Sequence, residues 1–284
     1  MSAIPPGRSI DLPGRGTTFA RDIPGPPGAA TLVLLHGWTA TADLNWAPSY
    51  EPLSHHFRVV ALDHRGHGRG IRSRRPFRLS DCADDAAALA DTLGIERFIA
   101  VGYSMGGPVA ELTWKRHRDR VEGLVLCATA ARFAPSDPRT QALFSGMYGL
   151  SLAARLTPPI LRRRAMGGYV ARKVAASPSA AWVASELQRN DPAALLQAGA
   201  AVGRYDCRPW IGEVDVPAAV IVTTKDELVN PARQRALAKR IPGVKVYEVE
   251  GGHSVCAERP SLFVPTFIEA CLDVSGRRAS TVRS

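Results

Sequence analysis

Residues 102–107 read Gly102-Tyr103-Ser104-Met105-Gly106-Gly107, a serine between glycines. The segment follows an apolar run at 98–101 and precedes a helical pattern over 108–117. Small flanking residues let a chain turn sharply from strand to helix and raise a serine hydroxyl above the sheet. The following helix N-terminus aims backbone N–H groups at developing negative charge. The competing reading is a glycine-rich turn that packs a helix on a strand. A serine hydroxyl needs a base. Of the seven histidines, only His36 and His253 stand at strand ends beside glycine without a nearby arginine cluster. His36 precedes the serine, so His253 in Gly251-Gly252-His253-Ser254 is the expected base. The base needs an orienting carboxylate. Asp226 lies after the penultimate apolar run and is the expected acid, with Glu227 as the alternative. The loop after the run at 124–127 has no acid, so that strand end is excluded.

Attack on a carbonyl also needs donors for the oxyanion. The N–H of Met105 follows the nucleophile, and the N–H of Trp38 lies in the loop His36-Gly37-Trp38-Thr39 after an early apolar run. These two N–H groups are the expected oxyanion hole. His36, Gly37 and Tyr103 are the candidates for the substrate pocket. The run Asp63-His64-Arg65-Gly66-His67-Gly68 invites a metal reading, but no further ligands stand at suitable spacing. No metal is expected, and the loop is read as structural.

These residues need elements to hold them. Apolar runs at 31–35, 57–62, 98–101, 124–127, 218–222 and 244–249 are bounded by Gly and polar residues, which suits strands buried on both faces. Two short strands around a turn are expected near 10–12 and 17–21. Helical patterns over 80–93, 108–117, 232–240 and 260–272 alternate with the runs. Alternation predicts an α/β fold with a mostly parallel, doubly wound sheet. Residues 133–205 break the pattern with three or four successive helical segments punctuated by proline. The expected organisation is a core of 1–132 and 206–284, with 133–205 as a helical lid over the C-terminal strand ends, where ligands bind in such sheets.

The 284 residues are 45% hydrophobic and 22% charged, which excludes wholesale disorder. No run of about 18 apolar residues exists to span a membrane. The N-terminal residues lack an apolar signal core, so a cytoplasmic location is expected by default. The five cysteines are odd in number and show no CxxC spacing, so buried thiols are expected rather than a disulfide framework or a zinc module. The net charge of +10 is carried by 36 basic residues, of which only five are lysine. The basic stretches at 58–78 and 131–175 hold few aromatics and match no nucleic-acid motif, so no nucleic-acid partner is expected. In the insertion, Arg162, Arg163 and Arg164 lie among apolar residues at helical spacing around Gly167-Gly168. They form either a solvated outer face or a device that draws anionic substrates or an anionic lipid surface.

The set His36-Gly37-Trp38, Asp63 to Gly68, Gly102 to Gly107, Asp226 and Gly252-His253 resembles the α/β-hydrolase superfamily. It is most similar to the capped bacterial serine esterases and their cofactor-free peroxidase relatives. The resemblance covers about residues 8–132 and 206–274, and Thr224 stands where the family often has glycine before the acid. It implies a hydrolase that cleaves small or medium carboxylic esters, without a cofactor, through an acyl-enzyme on Ser104, His253 and Asp226. The serine argues against the dehalogenases and epoxide hydrolases of the same fold, which use aspartate there. Thioester hydrolysis, carbon–carbon bond hydrolysis and perhydrolysis are rival reactions on the same triad. A ligand-binding protein with a nearly idle triad is the rival of another class.

Overall fold

Residues 4–134, 138–158 and 180–281 are described by the structure, a computed structural model. The apolar runs become the strands of one eight-stranded sheet. These are β1 (Arg8–Leu12), β2 (Gly16–Ile23), β3 (Thr31–Leu35), β4 (Arg58–Leu62), β5 (Phe98–Tyr103), β6 (Val121–Cys127), β7 (Ala218–Thr223) and β8 (Lys245–Val249). Their spatial order is β1-β2-β4-β3-β5-β6-β7-β8. The β1–β2 and β2–β4 pairs are antiparallel and all others are parallel. Every residue of β3, β5, β6 and β7 is buried. Such burial on both faces explains why these strands read as continuous apolar runs rather than alternating ones.

Helices cover both faces. One face packs against α1 (Ala42–Ser54) and α9 (Pro260–Thr281), through Trp46, Tyr50, Phe263 and Phe267. The other packs against α2 (Leu79–Thr92), α3 (Gly106–Arg116) and α7 (Pro231–Ala238), through Leu89, Val109, Trp114 and Leu237. A short helix, α8 (Val255–Glu258), follows β8. The sequence pattern gives no element over α1, whose interior holds Pro48 and Pro52. Proline disfavours a helix interior, but Thr41 caps α1 by accepting from the Leu44 N–H, and tertiary burial of Trp46 and Tyr50 carries the helix.

Between β6 and β7 the described residues form α4 (Pro138–Leu156), α5 (Ala180–Gln188) and α6 (Pro192–Arg204). An antiparallel bridge between Arg132 and Asp206 joins the two ends of the insertion. The α6 helix packs on α4, with Gly203 against the Phe144 ring. The insertion sits over the loops that leave β3 and β4. The Asp191 N–H donates to the Gly66 carbonyl, and the Phe77 N–H donates to the Gln197 side chain. The triplet Arg162–Arg164 and the pair Gly167-Gly168 lie outside the described residues. All five cysteines are buried and unpaired by disulfides. No helix among the described residues is long and apolar enough to cross a membrane.

Candidate active site

Ser104 stands at the tip of the β5–α3 turn with φ at +53°, a left-handed backbone that L side chains rarely adopt. Such a conformation costs about 1–3 kcal/mol and persists only where the surroundings enforce it. The Ser104 N–H donates to the Cys127 carbonyl and the Thr129 hydroxyl donates to the Ser104 carbonyl, so β6 and its following loop hold the turn from beneath. The glycines are required by contact. A Cβ on Gly106 would lie 1.9 Å from the Leu35 carbonyl oxygen, and one on Gly102 would lie 2.2 Å from the Gly106 oxygen.

His253, in the loop after β8, reaches the serine. Its Nε2 is 2.9 Å from Ser104 Oγ, and its Nδ1 is 2.7 Å from Asp226 Oδ2. A carboxylate only accepts, so Nδ1 carries the proton and Nε2 accepts from the serine hydroxyl. Asp226 is saturated. Its Oδ2 also accepts from the Thr223 hydroxyl and the Gln234 amide, and its Oδ1 accepts from the N–H groups of Leu228 and Val229. Burial raises the Asp226 pKa, but the hydrogen bonds and charge of His253, the Val229 N–H and the Thr223 hydroxyl outweigh it and hold the carboxyl below its ordinary value. Glu227 is exposed, and no hydrogen bond ties it to His253. Of the two acids the sequence offers, the histidine therefore takes Asp226.

The loop after β3 faces the elbow. A Cβ on Gly37 would sit 3.3 Å from Ser104 Cβ, so the backbone of this loop lies close against the elbow. The Gly37 N–H donates to Asn45 Oδ1, and the Trp38 indole donates to the Leu195 carbonyl of α6. The bonds that hold the elbow leave the N–H groups of Trp38 and Met105 out. Two of the pocket candidates, His36 and Tyr103, are buried beside the elbow. The His36 ring is fully buried, with Nδ1 on the Gly37 carbonyl and Nε2 accepting from the His64 N–H. Tyr103 is also buried, and its hydroxyl donates to the His253 carbonyl. His36 fixes the course of two loops, and Tyr103 supports the histidine loop from below. Asp63 accepts from the N–H groups of Ala42 and Arg69 and so closes its own loop.

Sequence reasoning missed Asn45, Gln234 and Thr223. Asn45 accepts from the Gly37 N–H while its amide reaches Cys256, just beyond His253. It thus ties the loop after β3 to α8, which follows the His253 loop. No spacing signal marks it, because its amide partner lies 211 residues away and a lone Asn eight residues past a glycine forms no motif. A family model described as the alpha/beta hydrolase fold matches residues 30–260.

The chain belongs to the α/β hydrolase fold family.

Among curated proteins, this α/β hydrolase is similar to the putative carbamate hydrolase RutD of Agrobacterium fabrum. They are 27% identical over 248 residues, covering 82% of this chain and 90% of the relative. It is 26% identical over 262 residues to the pimeloyl-[acyl-carrier protein] methyl ester esterase of Neisseria meningitidis, covering 89% of this chain and 81% of that one. Among solved structures, the enol-lactonase of Burkholderia xenovorans LB400 is 30% identical with a TM-score of 0.72, covering 93% of this chain and 99% of that one. A hydrolase of Pseudomonas aeruginosa PA01 reaches a TM-score of 0.78 at 22% identity, covering 93% of this chain and 98% of that one, and shares the fold.

Proposed function

We propose that this α/β hydrolase cleaves carboxylic esters through an acyl-enzyme. Ser104 is the nucleophile, His253 the general base and then acid, and Asp226 the carboxylate that orients the imidazole. One observation carries the reading: an unbroken hydrogen-bond chain runs from Ser104 Oγ through both His253 nitrogens to Asp226. His253 Nε2 takes the hydroxyl proton as Oγ bonds to the ester carbonyl carbon. The carbonyl oxygen becomes an oxyanion, held by the N–H groups of Trp38 and Met105. His253 then gives the proton to the leaving alcohol, and water repeats the sequence on the acyl-enzyme. Residues 133–205 act as the lid over this site.

The named relatives support an ester bond as the target. A methyl ester is the substrate of the Neisseria protein, and the Burkholderia protein acts on an enol-lactone, which is a cyclic ester. The test is a panel of p-nitrophenyl esters from acetate to palmitate beside an enol-lactone, with Ser104→Ala as control. Turnover by the native chain and its fall by about 10⁶-fold in the variant are expected. Turnover near the native level in a folded Ser104→Ala protein would remove the serine from the mechanism. Fluorophosphonate trapping of Ser104 without turnover of any ester would favour a binding protein with an idle triad.

A further inference from the structure

Trp38, the proposed oxyanion donor, is fixed on three sides, and two of the three anchors come from the insertion. The core supplies the first, Asn45, which takes the Gly37 N–H at 2.8 Å. The insertion supplies the other two. The Trp38 indole N–H donates to the Leu195 carbonyl at 2.8 Å, and the amide of Asn190 donates to the Thr39 carbonyl at 2.8 Å. Asn190 is buried between α5 and α6, and its Oδ1 accepts from the Gly68 N–H at 2.7 Å. That second bond fixes which way the amide faces, because a backbone N–H requires the oxygen. One side chain of the insertion therefore clamps the loop after β3 to the loop after β4. Nearby, the Thr41 hydroxyl donates to buried Glu186 of α5.

The clamped loop is under strain. Thr39 has φ at +65°, and a β-branched residue in the left-handed region is held there by its surroundings. The peptide that follows Thr39 is the one Asn190 holds, and the peptide that precedes Gly37 is the one Asn45 holds. The Trp38 N–H lies between these two fixed points. Displacement of the insertion removes the Asn190 and Leu195 anchors together, leaving a strained loop pinned at one end. A shift of about 1 Å in a catalytic group is enough to cost about 10²-fold in rate.

Resting on the serine-hydrolase reading, we infer that Asn190 is a positioning residue for the oxyanion hole, so that seating the insertion and arming the Trp38 N–H are one event. The insertion contributes to the chemical step, beyond covering the substrate.

The experiment compares the native chain with Asn190→Ala, Asn190→Asp and Trp38→Phe. Native turnover of a p-nitrophenyl ester and its loss in Ser104→Ala are established first, so a failure of the esterase reading appears before the variants are read. Asn190→Asp keeps the acceptor for Gly68 but cannot donate to Thr39, and Trp38→Phe keeps an aromatic side chain but loses the N–H that bonds to Leu195. In all three, kcat is expected to fall about 10- to 100-fold with KM within about threefold of native. The inhibition constant of an alkylboronic acid, whose tetrahedral serine adduct uses the same N–H groups, is expected to rise by a similar factor. Native-like kcat in Asn190→Asp would overturn the inference. So would a change confined to KM, or a kcat loss with unchanged boronic acid inhibition. If Asn190→Ala is poorly folded by circular dichroism, Asn190→Asp carries the test, because it keeps the size of the side chain and the acceptor for Gly68 while removing the donor to Thr39.

Discussion

Asp226 and Glu227 are neighbours with opposite fates. Asp226 is buried with five hydrogen-bond donors on its two oxygens, while Glu227 is exposed. Asp226→Asn replaces an acceptor by an amide that cannot hold the Nδ1 proton, so the imidazole loses the tautomer that accepts from Ser104. A fall in kcat of about 10⁴-fold is expected, with KM little changed. Glu227→Gln is expected to stay within about twofold of native, as exposed substitutions away from the site usually do. Steady-state kinetics on one ester measures both, and a larger loss in Glu227→Gln would reassign the acid. At this scale the three residues of the proposed triad are legible because each stands at the end of a recognisable strand, in serine–acid–histidine order. The supporting residues were not. Asn45, Gln234 and Asn190 act through partners set by the fold, and an isolated Asn or Gln carries no spacing signal.

The elements were legible where burial imposes a pattern. The runs at 31–35 and 218–222 match β3 and β7 closely because both faces are covered and every residue must be apolar. The α1 helix was hidden because Pro48 and Pro52 contradict it locally and only packing of Trp46 and Tyr50 explains it. The α3 helix holds a second concealed feature. Glu111 is fully buried, accepts from the Tyr205 hydroxyl at 2.5 Å, and thereby ties the helix after Ser104 to the chain leaving the insertion. Burial outweighs hydrogen bonds from Tyr205 and Cys207 and pushes its carboxyl up from 4.5 to about 7. The folded chain then takes up a proton near 7 that the unfolded chain takes up only near 4.5. This group's contribution to stability is therefore present at low pH and is lost as pH rises from 4.5 through about 7. Glu111→Gln keeps an acceptor for Tyr205 without the ionisation. Thermal melts are expected to show the variant more stable than native near pH 8, by about 1–3 kcal/mol, and close to native near pH 5. Equal stability of the two proteins at both values would mean that Glu111 is not held neutral.

On the scale of the whole molecule, the loops from β3 and β4 meet in a cluster of three buried histidines. The His36 ring lies 4.4 Å from that of His64 and 5.4 Å from that of His67. Among the described residues, no protein group partners either ring nitrogen of His64 or Nε2 of His67. Burial is the largest influence on each and disfavours the charged form. It pushes His36 down to about 4 and His67 to about 3, and holds His64 well below the ordinary 6.5. An unfolded chain takes up a proton at each imidazole as pH falls below 6.5. The folded chain does not do so until the lower values are reached. The unfolded state thus binds more protons across pH 6.5 to about 4, and stability falls as pH falls through that window. Glu111 acts in the opposite sense over much of the same range and offsets about one histidine, which leaves the other two to set the sign. The paired carboxyls of Asp43 and Asp226, both held below 3.8, add to the loss only in stronger acid. One pKa unit is about 1.4 kcal/mol per group, so the net effect is a large fraction of a typical domain's stability. Urea unfolding at intervals from about pH 7.5 to 4.5 is expected to show a steadily falling midpoint with an unchanged slope, beginning near 6.5. A midpoint that stays level across that range would mean that the loop cluster opens and takes up its protons without unfolding the sheet beneath it. The loops after β3 and β4 would then be less stable than the sheet that carries them.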